Sequence, residues 1–131
     1  ALYMPREFKD ALSMARDSQR YMFQAERDVL RASHAEVGAL VARRWEFPEP
    51  LIRGIALHHD PEAAADDLQV ICVFTADQVC KSLQYGDSGE DKIEPLPAIV
   101  EERFARDLPS LIRAMPDLDE ELQKARIFIN A

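Results

Sequence analysis

The sequence predicts an all-α fold, a compact bundle of several helices, and three observations carry that prediction. Ala, Leu, Glu, Arg and Asp dominate the 131 residues and glycines number only 4, a mix that favours helix. Apolar residues recur at three- and four-residue spacing in one segment after another, and no stretch alternates as a half-buried strand would. The 8 prolines mostly open or separate these segments rather than interrupt them.

Pro5 suits the first turn of a helix to about Arg16, with Phe8, Leu12 and Ala15 on one stripe. A second helix spans roughly Tyr21–Arg31 and carries Met22, Ala25, Val29 and Leu30. Ser33-His34-Ala35-Glu36 is a capping-box pattern and starts a helix to about Trp45, with Val37, Leu40, Val41 and Trp45 at helical spacing. Trp45 at the end of that stripe is expected in the core. Phe47-Pro48-Glu49-Pro50 is a tight connection, and Pro50 opens a helix with Leu51, Ile52, Ile55, Ala56 and His59 on its buried face.

Asp66 or Asp67 caps the next helix, about Leu68–Gln84. Between Val70 and Cys80 it is apolar on nearly every side, which predicts the most buried element. Tyr85–Gly89 is a loop signal. Pro97 begins a helix to about Arg106, and Leu108–Ala114 and Leu118–Ile129 add two more. The expectation is one helical domain over 1–131, its residues 91–131 forming a variable helical tail.

A net charge of -8 repels phosphodiester backbones and anionic lipid heads, so neither nucleic acid nor membrane is expected as a partner. Cys72 and Cys80 lie one long step apart on a helix, about 12 Å between Cα atoms, too far for a disulfide. They read as reduced core thiols, which places the chain in the cytoplasm.

Three histidines and an aspartate carry what chemistry there is. His34 and Gly38 share a helix face, so a neighbouring helix can come close beside the imidazole. His58 and His59 sit at a helix C-terminus, where imidazoles can cap carbonyls. Asp77 falls on the Val73–Cys80 stripe and needs a hydrogen-bond donor, a cation or a metal. Imidazoles with a carboxylate suit Zn, Fe, Mn or Ni, but these four make a hydrolytic centre only if all converge and leave a position for water. The competing reading is structural: His34 orients a loop, one of His58 and His59 caps its helix, and Asp77 bonds a histidine.

The order of motifs resembles the second half of an HDOD domain. Glu26, Ser33-His34-Ala35-Glu36-Val37-Gly38, Trp45-Glu46-Phe47-Pro48, His58-His59-Asp60-Pro61 and Ala76-Asp77 follow one another at sensible spacings over about residues 20–90. The resemblance implies an HD-superfamily fold and a chain that is a fragment of a longer protein, entered midway through the family's domain. In catalytic HD and HD-GYP relatives, the positions of His34, His58, His59 and Asp77 supply metal ligands. The upstream His-Asp dyad of those enzymes has no counterpart here, since His59-Asp60 belongs to the later helix end, and Pro61-Glu62-Ala63 stands in place of the Gly-Tyr-Pro signature.

The resemblance therefore implies a vestigial ligand set, no required cofactor and no catalysis. The implied role is a bacterial output or docking module that contacts proteins or attached receiver, GGDEF or EAL domains. The alternative is a fragment of a metal-dependent phosphohydrolase whose remaining ligands lie upstream. A third possibility is a pocket between the His34 and His58 helices that senses a small anion or nucleotide. A half-domain should also self-associate, and the Phe8, Leu12 and Ala15 stripe is the expected homodimer face.

Overall fold

The structure is a computed structural model and describes residues 4–86 and 92–129. Every regular element among them is helical: α1 Pro5–Asp17, α2 Met22–Leu30, α3 His34–Arg44, α4 Glu49–Leu57, a short 3-10 helix Pro61–Ala64, α5 Leu68–Ser82, α6 Ala98–Phe104, α7 Leu108–Arg113 and α8 Leu118–Ile129. The all-α expectation holds, and each predicted helix is present within a few residues. The 3-10 helix was not foreseen; Asp60 caps it by accepting from the Ala63 amide. Most of the Tyr85–Gly89 loop signal lies outside the described residues, as do Leu2 and Tyr3. No helix among the described residues is long and apolar enough to cross a membrane.

The backbone divides into two compact units, Ala1–Pro95 and Leu96–Ala131. In the second, Asp107 caps α7 by accepting from the Ser110 amide, and Ala105 ends α6 in the left-handed region. All the candidate site residues belong to the first unit.

In that unit α1 and α2 pair through Ala11, Ala15, Met22 and Ala25, with Phe8, Leu12 and Val29 packed around them. Of the stripe expected to meet a twin, Ala15 is buried against α2, and Phe8 and Leu12 are half-buried there. Helices α3 and α4 join through Ala39, Ala42 and Ile52, backed by Ile55 and Ala56. A Cβ at Gly38 would stand 2.9 Å from Ile55 Cγ2, so the missing side chain sets how near α4 approaches.

Three expectations of burial fail. Helix α3 turns its small residues Ala35, Ala39 and Ala42 inward, while Val37, Leu40, Val41 and Trp45 are exposed. Trp45 is 67% exposed and so is no core residue. Helix α5 is one-sided: Val70, Ile71, Phe74, Thr75, Gln78 and Val79 are buried, but Leu68 and Val73 are exposed. Cys72 lies on that exposed face as a free thiol and Cys80 is half-buried. The inward face carries the bulk of Phe74 and Ile71, which fills the space beneath the helix without using its whole circumference.

Candidate functional site

Helix α3 starts at His34 because Ser33 and Glu36 close a reciprocal capping box. The Glu36 amide donates to Ser33 Oγ at 3.3 Å, and the Ser33 amide donates to Glu36 Oε2 at 2.7 Å. This sets the His34 ring at the head of the helix, facing the last turns of α2. There Glu26, with its side chain 6% exposed, accepts from the His34 amide at 2.8 Å and from His34 Nδ1 at 2.7 Å on one oxygen. Burial pushes the Glu26 carboxyl up, but the His34 hydrogen bonds outweigh it and hold the group below its usual range.

The end of α4 supplies the other two imidazoles. His58 Nδ1 donates to the Ile55 carbonyl at 2.8 Å, a bond that caps the helix as its C-terminal position suggests. Burial, and then the neighbouring His59, push the His58 pKa down despite that carbonyl, so the ring is neutral at pH 7. His59 Nδ1 meets Glu94 Oε1 at 3.0 Å, and its ring stacks on Phe23 at 4.6 Å between centroids.

With their Nδ1 atoms engaged outward, the histidines turn their Nε2 atoms on one another. His34 Nε2 lies 3.1 Å from His58 Nε2 and 3.0 Å from His59 Nε2. Nitrogen lone pairs this close repel unless a proton or a cation lies between them. Three imidazoles on one ion at about 2.1 Å would place their nitrogens roughly 3.0–3.4 Å apart. Each Nδ1 is backed by a carboxylate or a carbonyl, the arrangement that orients histidine ligands and raises their basicity. The donor set therefore fits a single borderline transition ion such as Zn, Fe or Ni.

Asp77 reaches the same cavity, a space of about 280 Å³ with Phe8 and Met22 on its apolar wall. It bonds neither of its expected imidazole partners. Its Oδ2 accepts from Lys81 Nζ at 2.9 Å and from Gln78 Nε2 at 3.0 Å. Gln78 is fully buried, and its Oε1 accepts from the Glu94 amide at 2.7 Å. Glu26, Asp77 and Glu94 together outnumber the one lysine, so the local field favours a cation over the small anion considered from sequence. Burial, and then Asp77, push the Cys80 thiol up, which keeps it out of thiolate chemistry.

The structure thus brings His34, His58 and His59 together and sets Asp77 beside them. Three contributors were not singled out from sequence: Glu94, Gln78 and Lys81. Lys81 had a signal, standing one turn after Asp77 where an opposite charge pairs. Glu94 had none, since it lies 35 residues beyond His59 in a segment with no periodicity.

Fold and cavity together define an all-helical domain with a histidine–carboxylate pocket. Residues 1–61 match the family model described as HDOD domain, so the resemblance read from the motifs holds. That match starts earlier than the 20–90 stretch identified by motif and ends at Pro61, just after the histidine pair.

The chain is similar to an HDOD domain protein of unknown function from Geobacter sulfurreducens. That crystal structure shares 22% identity at a TM-score of 0.68 over 92% of this chain and 45% of its own, a likeness of fold. An uncharacterized protein of Treponema pallidum (strain Nichols) is 34% identical over 64 residues, 49% of this chain and 12% of that protein. Ribonuclease Y of Thermus thermophilus is 32% identical over 84 residues, 63% of this chain and 14% of that protein. The chain spans about one eighth to one seventh of the length of these two relatives.

Proposed function

We propose that the chain is a non-catalytic regulatory module of the HDOD type, an output or docking domain of bacterial signal transduction that acts in the cytoplasm through protein contacts. The observation that carries this reading is the open face of α3. Val37, Leu40, Val41 and Trp45 follow one another along one side of the helix, and Leu40 and Trp45 are each 67% exposed. Scattered exposed apolar residues are ordinary, but a continuous row of them marks an interaction surface. Under this reading the histidine trio holds no more than one divalent ion, and that ion orders α2, α3 and α4 rather than activating water.

A second reading, part of a metal-dependent phosphohydrolase, is favoured by the convergence of three Nε2 atoms and by the likeness to a protein named Ribonuclease Y. One assay separates the two. The purified chain is offered cyclic dinucleotides, generic phosphoesters and RNA, with Mn, Fe or Ni supplied. The regulatory reading expects no turnover above the free-metal background; sustained turnover that is lost in His58→Ala overturns it.

A further inference from the structure

We infer that Lys81 is a tethered cation occupying the place of a divalent ion in the corner formed by His59, Asp77 and Glu94, and that it keeps this corner from becoming a metal site. The inference rests on the non-catalytic reading above and supplies a physical reason for it.

Ligand atoms of His59, Asp77 and Glu94 lie within 4.8 Å of one another. The side chains of His59 and Glu94 are 10% and 11% exposed and that of Asp77 is 29% exposed, so water solvates the charge there only in part. Gln78 ties the two residues together, donating to the Asp77 carboxylate and accepting from the Glu94 backbone amide. Two acids and an imidazole held this way are a hard, oxygen-rich donor set of the sort Mn²⁺ or Mg²⁺ takes. This set shares His59 with the all-nitrogen trio but is harder, since its other two donors are carboxylates.

Lys81 is the cation present. Its side chain is 6% exposed, and its ammonium stands 2.9 Å from Asp77. An ordinary helical pair at this spacing is solvated on both sides, as Lys124 and Glu120 are at 57% and 71% exposure. The Lys81 ammonium has instead left the solvent and lines the cavity beside the histidines, a position that needs fixed negative charge to compensate. With Lys81 in place, its ammonium offsets part of the corner's negative charge. A divalent ion would have to displace the ammonium or bind against its field.

The test counts bound Mn²⁺ per chain from the loss of the free hexaaqua signal in electron paramagnetic resonance, with helicity followed by circular dichroism. The wild-type chain should bind at most one ion. Lys81→Met, which keeps the apolar stem and removes the charge, should bind one more than wild type. Adding Asp77→Asn should return the count to the wild-type value, and Lys81→Arg should keep it there. Equal counts in wild type and Lys81→Met, or a wild-type chain that already takes two ions, would overturn the inference. Should Lys81→Met fail to fold, Lys81→Gln carries the same comparison and the wild-type count still applies. Hydrolysis by the wild-type chain would instead sink the non-catalytic reading while leaving these counts to stand or fall separately.

Discussion

One carboxylate oxygen of Glu26 accepts both from the His34 amide, at 2.8 Å, and from the His34 ring, at 2.7 Å. The same atom therefore fixes the start of α3 and the direction of its imidazole. Glu26→Gln keeps the shape and one accepting oxygen but removes the charge, so both bonds weaken. It should cost about 1–3 kcal/mol in urea unfolding of metal-free protein. It should also lower Zn²⁺ affinity by roughly 10–100-fold, as loss of an orienting partner does. An unchanged midpoint would show that the double bond contributes nothing.

Gly38 and Ile55 define the approach of α3 to α4. Ala at position 38 would gain about 1 kcal/mol in helix propensity but press its Cβ onto Ile55 Cγ2, 2.9 Å away. Overpacking of that kind costs about 1–3 kcal/mol. Gly38→Ala alone should be destabilised or at best neutral. In Ile55→Ala the same change should become favourable relative to its own background, and a double-mutant cycle read by denaturant midpoint would show the sign reversal.

Asp67 accepts from Arg53 Nε at 2.9 Å and caps α5 through the Gln69 and Val70 amides. The Arg53 bond, and then the amides, hold its carboxyl below the ordinary 3.8 against a small opposing effect of burial. Because the folded value lies below the unfolded one, this stabilisation is complete above pH 3.8 and vanishes as pH falls through the depressed folded value. Asp67→Asn retains a capping oxygen and loses the charge. The stability gap between wild type and variant should be constant near neutrality and close on the acid side, as followed by thermal melts across pH.

Trp45 is the sole tryptophan and is 67% exposed. Its fluorescence should resemble that of the free indole in water and be readily quenched by acrylamide in the isolated chain. Trp45→Ala should shift stability by no more than about 0.5–1 kcal/mol, as exposed substitutions do, whereas a core tryptophan would cost about 3–5 kcal/mol. Leu40→Asp with Trp45→Asp should abolish docking without unfolding the chain, checked by comparing proteins retained on wild-type and variant baits.

Local signals in the sequence were read correctly where one short stretch decides the outcome. The Ser33–Glu36 capping box is present with both of its bonds, and the histidine pair ends its helix as expected. Burial was misread where size was taken for inwardness. On α3 the bulky row Val37, Leu40, Val41 and Trp45 suggested the core face, yet Ala35, Gly38, Ala39 and Ala42 also share a helical stripe. Close approach of α4 needs the smaller row, a preference that only the partner helix can express. The histidine trio could be suspected from order and spacing. Its supporting shell was legible only in part: Glu26 stands in the motif order and Lys81 one turn after Asp77, but Glu94 reaches the site through tertiary folding that leaves no pattern along the chain.

The mutual orientation of the three imidazoles bears on how any preparation of this protein behaves. Facing lone pairs oppose their own assembly, so the folded state gains whenever a metal cation sits between them. Trace transition metals fill that role. Melting temperature should consequently track buffer history: lowest after exhaustive chelation, and raised by substoichiometric zinc or by residual nickel from an affinity column. Thermal comparisons between batches are meaningful only once metal content has been assayed and matched.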